Sequence, residues 1–398
     1  MQRHWPRKRA GLGEQQRPIQ LFTAFSGSNA PAKVMQDLEF AFDSVVACDP
    51  KQTAHRFCKQ NGLQASCWFK DIKALNRFGC GTCLMHPDSD CRLPALSPDL
   101  LVMGFSCRPY SAQRAGSHVP ENVQNHEDFQ LAQEAIEFTF KTRPIAVLYE
   151  NVRRFLPWVP NFLEQLRAGG YHAGFRILPL DPWVGACSTR VYIFALNASQ
   201  VPSGALGTVI NIVDDLDRAR RQMREEDPPM LASQFMVSPG TPMWMKHVQP
   251  LLQVGNLGRD DSPSGESSAW IRESKELRNA WHQQGLKQQN ANPWSEASHP
   301  PTFRGLQRCP RLVEVIELGF LWGSLKLGLS PFKNRAEIAK NLFVDVTQNP
   351  SRHPWSYGLH RITTGSQIYS YQNDRVMSAF EAFRVYGWQD ACQPIKFK

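Results

Sequence analysis

The stretch Ile19-Gln20-Leu21-Phe22-Thr23-Ala24-Phe25-Ser26-Gly27-Ser28-Asn29 decides the fold of the first half of the chain. Ile19–Phe22 is a short apolar run of the kind that makes a buried strand. The small and turn-forming residues that follow end it, and Pro31 suits the first turn of a helix. Gly27 lets the backbone approach a ligand closely, and Asn29 tolerates a positive φ. Strand, glycine-bearing turn and helix together open a βα unit.

Working outward, the alternation recurs. Ser44–Ala47 reads as a strand ending at Cys48-Asp49, Thr53–Gln60 as a helix, and Leu100–Met103 as a strand running into Gly104-Phe105-Ser106-Cys107. Asn125–Lys141 reads as an amphipathic helix capped by Asn125, with Phe129, Ala132, Ile136 and Phe140 close to one face. Ile145–Tyr149 is a strand that stops at Glu150-Asn151, and Phe175–Leu178 and Val191–Leu196 add two more. This order predicts an α/β fold, a doubly wound and mainly parallel sheet over 19–197. Ligands of such sheets bind at the carboxyl ends of the strands, so Gly27, Asp49, Cys107 and Glu150 are expected to share one crevice.

The remainder of the chain is bounded by composition. With 398 residues, 42% apolar and 20% charged, two domains with real cores are expected rather than wholesale disorder. No apolar run approaches a membrane span and no apolar leader is present, so a membrane partner and secretion are not expected. A net charge of +9 with 11 Trp favours a polyanionic partner such as nucleic acid. Ten cysteines in a chain of this length suit a reducing compartment better than a disulfide scaffold. Residues 1–18 form a basic tail expected to be disordered. A less regular second domain is expected from 198, with a mobile region at 256–305 where Pro, Gly, Ser and Gln concentrate. Helical patterns return at Arg311–Leu329 and Asn334–Leu342.

Several residues carry chemistry. Cys107 stands between Ser106 and Arg108, a cation that would lower a thiol pKa, in a loop of Gly, Ser and Pro that can face a cleft. The plain alternative is a buried structural cysteine. Glu150 ends an apolar strand, where a carboxylate is unfavourable unless it has a partner or a task, and capping the next turn is the alternative. Asp49 follows Gly27 at the separation at which acidic residues bond ribose hydroxyls in nucleoside-binding sheets. Cys80, Cys83, His86 and Cys91 form C-x2-C-x2-H-x4-C, which fits a small structural zinc site in an insertion at 78–94; a loop of free thiols is the alternative.

Taken in order, these segments resemble the cytosine-5 DNA methyltransferase family. Phe25-Ser26-Gly27 looks like its F-x-G cofactor turn, Asp49-Pro50 its ribose-binding acid, and Asp71-Ile72 the pair beside the adenine. Gly104-Phe105-Ser106-Cys107-Arg108-Pro109-Tyr110-Ser111 looks like the G-F-P-C-Q-P-F-S nucleophile loop, and Glu150-Asn151-Val152 matches E-N-V. Arg190-Val191-Tyr192-Ile193 is similar to the end of Q-x-R-x-R and its strand. Arg375-Val376-Met377-Ser378, with Glu381, Arg384 and Tyr386-Gly387-Trp388, is similar to R-x-L-T-x-x-E-x-x-R-L-Q-G-F. The resemblance covers about 19–197 and 345–390.

The resemblance implies S-adenosylmethionine bound at Phe25, Ser26, Gly27, Asp49, Pro50, Asp71 and Ile72. It implies Cys107 as the nucleophile at cytosine C6, Glu150 at N3 and Arg190 at O2, on a base flipped from its stack. Arg108, Ser111 and Arg375 would contact nucleic acid. The irregular 198–365 would be a target-recognition domain, and 366–398 would return to the catalytic domain. DNA is the implied partner, RNA the alternative, and the nucleus the implied compartment in a eukaryotic source, otherwise cytoplasm or nucleoid. The chain departs from the pattern at Ser106 (Pro in the family), Arg108 (Gln), Asn29 (Gly), and Ala186 and Ser188 (Gln and the first Arg). A closing G-N segment is not visible before Lys398. Those departures keep a catalytically inactive nucleic-acid-binding relative in view. A dinucleotide-dependent dehydrogenase is disfavoured because G-x-G-x-x-G is absent.

Overall fold

The computed structural model describes residues 17–111, 119–179, 188–226, 231–253, 267–284, 291–297, 301–306, 309–359, 362 and 365–388. The described residues form two compact units, the first built from 17–178 and 189–217 and the second mainly from 218–388.

In the first unit the chain runs β1 (Ile19–Ala24), α1 (Ala30–Asp37), β2 (Phe42–Cys48), α2 (Gln52–Gln60), β3 (Cys67–Phe69), α3 (Ile72–Phe78), β4 (Cys80–Thr82), β5 (Asp90–Arg92) and β6 (Leu100–Met103). It continues through α4 (Pro120–Gln124), α5 (Leu131–Thr142), β7 (Ala146–Val152), α6 (Val159–Ala168), β8 (Tyr171–Pro179), β9 (Thr189–Asn197) and α7 (Ala205–Glu226), the last of which crosses into the second unit. Seven strands make one sheet in the order β3-β2-β1-β6-β7-β9-β8. β3, β2, β1, β6 and β7 are mutually parallel, and β9 runs antiparallel to β7. The order reverses between β1 and β6, where a doubly wound sheet opens its ligand crevice. The apolar strands explain the core. Phe22, Phe69, Leu101 and Tyr149 are fully buried, each such side chain contributing about 1.5–3 kcal/mol.

The expected helix from Asn125 begins later. Asn125 ends α4, its N–H donating to the Glu121 carbonyl at 2.9 Å, and α5 starts at Leu131. Local bonding wins in between, because the Asp128 N–H donates to His126 Nδ1 at 3.0 Å. Ala132, Ile136 and Phe140 do face the core. β7 runs past Tyr149 to Val152, because β9 pairs with it as far as Val152↔Arg190.

The second unit contains α8 (Pro242–His247), α9 (Gln249–Gln253), α10 (Ser267–Gln283), α11 (Pro310–Leu327), α12 (Arg335–Ala339), β10 (Leu342–Asp345), β11 (Trp355–Tyr357), β12 (Ile368–Ser370), β13 (Arg375–Val376) and α13 (Ala379–Val385). The four strands form a sheet ordered β11-β10-β12-β13, each antiparallel to its neighbours. α11 is buried along most of its length. At Gly319 a Cβ would lie 2.3 Å from the Tyr371 hydroxyl, which donates to the Ile316 carbonyl at 2.6 Å. α10 falls inside the segment read as loop. Its spacing of Ser274, Leu277, Arg278 and Trp281 is helical, and that face packs inward despite the polar composition. The Asn334–Leu342 pattern splits into α12 and the start of β10. No helix among the described residues is long and apolar enough to cross a membrane.

Candidate active site

The turn after β1 is built from left-handed residues. Phe25, Gly27 and Asn29 have φ of 55°, 50° and 52°. Asn29, which stands where the resemblance expects glycine, satisfies the conformation as the N-terminal cap of α1 and donates to the Leu63 carbonyl at 2.7 Å. Ser26 fastens the turn to β2, its N–H donating to the Cys48 carbonyl at 3.1 Å and its hydroxyl accepting from the Cys48 N–H at 3.1 Å. Asp49, 8% exposed, accepts from the Gly27 N–H at 2.9 Å and from the Lys51 N–H at 2.9 Å. The Gly27 carbonyl accepts from the Cys58 thiol at 3.7 Å, and burial followed by the charge on Asp49 pushes that thiol up to about 12. No atom lies within 4 Å of the place a Gly27 Cβ would occupy, so the space beside the turn is open. Pro50 follows Asp49 on the surface. Asp71 caps α3, accepting from the Lys73 N–H at 2.8 Å, and Ile72 is buried behind it.

The loop that carries Cys107 leaves β6 next to β7. Asn151, 2% exposed, donates to the Phe105 carbonyl at 3.1 Å and ties the loop to the neighbouring strand. Phe105 is buried against Phe25 from the turn after β1, with ring centroids 6.5 Å apart, and against Phe155 and Phe162. Cys107 is half-buried at the tip, in a turn closed by the Tyr110 N–H donating to its carbonyl at 3.0 Å, and half-buried Ser111 follows. Glu150 and Arg190 are diagonal neighbours across β7 and β9, where Glu150 pairs with Tyr192 and Arg190 with Val152, and they form an ion pair with Nε 2.7 Å from Oε1. Gly104 passes close to that carboxylate: a Cβ there would stand 3.5 Å from Glu150 Oε2, an ordinary contact. The sequence predicts that Gly27, Asp49, Cys107 and Glu150 share one crevice; the structure sets the turn after β1 against Asp49 and the loop after β6 against β7, where Arg190 joins Glu150.

One partner was missed. Asp128 accepts from the Ser106 hydroxyl at 2.6 Å and from Arg108 at 2.5 Å (Nε) and 2.9 Å (the terminal nitrogen), and Glu127 lies 3.1 Å from the same guanidinium. Burial opposes ionisation of Asp128, but the hydrogen bonds from Arg108 and Ser106 prevail and hold its carboxyl below the ordinary value. Both departures from the nucleophile-loop pattern thus share one anchor. Nothing in the local sequence marks Asp128, which sits in a turn with no motif of its own.

Two further readings change in detail. Arg375, read as a nucleic-acid contact, is 2% exposed within the second unit. It donates to Glu381 at 2.6 and 2.9 Å and to the Val237 carbonyl at 3.0 Å, over the Trp244 ring at 4.9 Å. Glu381 also accepts from the Ser378 N–H at 2.8 Å and the Val237 N–H at 2.6 Å, and Arg384 donates to the Phe235 carbonyl at 3.1 Å. The R-x-x-x-x-x-E segment is thus the buried polar frame of that unit. In the insertion, the cysteines and histidine do gather, but the set is Cys67, Cys83, His86 and Cys91, and Cys80 is outside it. Alternation along β4 turns Cys80 away, while Cys67 arrives from β3.

The family model for C-5 cytosine-specific DNA methylase matches residues 17–214. Residues 17–214 belong to that family. No curated protein matches it in sequence. Among solved structures, an Escherichia coli putative DNA modification methyltransferase encoded within a prophage is similar at 15% identity and a TM-score of 0.32, over 46% of this chain and 47% of that one. The Dnmt2 methyltransferase of S. pombe is similar at 16% identity and a TM-score of 0.39, over 60% of this chain and 65% of that one. A Spodoptera frugiperda DNMT2 mutant gives 16% identity and a TM-score of 0.33, over 46% and 51%. The chain thus spans about half to two thirds of the length of these structures.

Proposed function

We propose that this protein transfers a methyl group from S-adenosylmethionine to C5 of cytosine in DNA. The observation that carries the reading is the convergence of Cys107, the Glu150–Arg190 pair and the Gly27–Asp49 turn on adjoining strand ends. Asp49 would hold the ribose hydroxyls beside the open space at Gly27, with Phe25, Ser26, Pro50, Asp71 and Ile72 completing the cofactor side. S-adenosylmethionine supplies an electrophilic methyl group when bound.

The chain's own residues solve the other half of the problem, since cytosine C5 is a poor nucleophile. The Cys107 thiolate adds to C6, forming an S–C6 bond and pushing the ring electron pair toward C5. Glu150 hydrogen-bonds at N3 and offsets the charge that develops there, while Arg190 holds Glu150 in place and bonds O2. Once C5 carries the methyl group, its proton leaves to a base and the electron pair re-forms the double bond, expelling the thiolate. A duplex must release the target base first, at about a few kcal/mol. The net charge of +9, with exposed Arg108 and nearby Ser111, suits phosphate contact while that happens.

Transfer of a tritiated methyl group to duplex DNA and to RNA tests the reading, with Cys107→Ala as the control. Transfer to DNA that Cys107→Ala abolishes is the expected result. Full activity in that variant would refute the adduct, and labelling of RNA alone would move the substrate. Calorimetry that finds no S-adenosylmethionine binding would leave a nucleic-acid-binding relative.

A further inference from the structure

The far edge of the same sheet holds a cluster that methyl transfer does not use. Cys67 opens β3, Cys83 follows β4 and bridges to Phe69 in β3, His86 lies in the connecting turn, and Cys91 is in β5. His86 Nδ1 lies 3.2 Å from the Cys91 Sγ, 3.5 Å from Cys83 and 3.9 Å from Cys67, and all four ligand atoms lie within 4.8 Å of one another. A tetrahedral zinc with Zn–S of about 2.3 Å and Zn–N of about 2.0–2.1 Å sets neighbouring S and N about 3.5 Å apart, which these distances bracket. Three thiols around one imidazole nitrogen do not pair off as disulfides, since one sulfur would be left over. Thiolate and imidazole donors in this number are the set that selects zinc. Four protein ligands also close the site, which makes it structural rather than catalytic.

Its place in the fold gives it a consequence. β3 is an edge strand of three residues, too short to be held firmly by its own ladder. Yet it fixes the backbone on both sides of the cofactor acid. The Trp68 indole N–H donates to the Asp49 carbonyl at 3.2 Å, and the Asp49 N–H donates to the Phe69 carbonyl at 2.9 Å. Trp68 and Phe69 are fully buried, and the Leu84 N–H, on the insertion, donates to the Trp68 carbonyl at 2.7 Å. We propose that Cys67, Cys83, His86 and Cys91 bind one zinc ion and that this clip holds β3 so that Asp49 keeps its cofactor-binding position. The second half rests on the cofactor reading above; the first half does not.

Metal analysis of the purified full chain, prepared under reducing conditions, tests the site without cofactor or nucleic acid. One zinc per chain is expected in the wild type and in Cys80→Ser, and loss in Cys67→Ser and Cys91→Ser. Absence of zinc from the wild type overturns the proposal, as does retention in Cys67→Ser with loss in Cys80→Ser. Where the ligand variants fail to fold, chelator-stripped wild type is titrated with Co2+. Visible bands of tetrahedral thiolate cobalt that saturate at one equivalent and vanish on adding Zn2+ support the site, and their absence overturns it. S-adenosylmethionine binding to the chelator-stripped chain, measured by calorimetry, is expected to weaken by about tenfold, within the usual range for coupled sites. Affinity that stripping leaves unchanged, in a protein whose untreated form is shown to hold zinc, refutes the coupling alone.

Discussion

Asp128→Ala isolates what the anchor under the Cys107 loop does. The wild-type carboxylate receives Ser106 at 2.6 Å and Arg108 at 2.5 and 2.9 Å. A hydrogen bond to a charged group contributes about 1.5–3 kcal/mol. The Arg108 side chain is 63% exposed, so its share falls toward the roughly 0–1 kcal/mol of surface pairs. With the better-shielded Ser106 bond, the loop loses about 2–3 kcal/mol of order, a factor of about 30–150 in population. That agrees with the roughly hundredfold penalty of displacing a reacting group by about 1 Å. Steady-state methyl transfer is the assay. The kcat should fall by about 30–100-fold while the KM for S-adenosylmethionine stays put, because Asp49 and Gly27 lie on other strands. Asp128→Asn, which keeps an acceptor for Ser106, should show a smaller loss. The pH dependence follows from the lowered carboxyl pKa. The stabilisation is fully present above the ordinary carboxyl value and is lost as pH falls through the lower folded value, so the wild-type to Ala ratio should be flat from pH 6 to pH 8. A wild-type kcat in Asp128→Ala, or a loss confined to KM, would refute the reasoning.

Three other outcomes are expected. Asp49→Ala removes the acceptor of the Gly27 and Lys51 N–H groups, and S-adenosylmethionine affinity measured by calorimetry should fall by more than about tenfold. Arg375→Met leaves the fully buried Glu381 without its cation and should destabilise the protein by about 3–5 kcal/mol in chemical denaturation; a change under about 1 kcal/mol would show that the frame is dispensable. Gly319→Ala drives a methyl group into the Tyr371 hydroxyl and should lower stability by about 1–3 kcal/mol, with Gly319→Ala/Tyr371→Phe recovering part of it.

The parallel sheet and most of its strands were legible because each buried strand is a short apolar run bounded by turn residues, a local signal. The residues that end those strands were legible for the same reason. Asp128 was not, since its role depends on Ser106 and Arg108, some twenty positions away, folding back onto it. Helix α10 was masked by a polar composition whose inward face shows only as a helical spacing.

By itself, the sequence determined the order of strand ends in the first unit and which of them carry Gly27, Asp49, Cys107, Glu150 and Arg190, because strand length and turn chemistry are written locally. Tertiary structure alone decided the partners. It put Arg190 on Glu150, moved Arg375 from a nucleic-acid surface into a buried frame with Glu381, and exchanged Cys80 for Cys67 in the cysteine–histidine cluster. Spacing along the chain can nominate ligands, but only the pairing and pleat of strands determine which side chains point to a common centre.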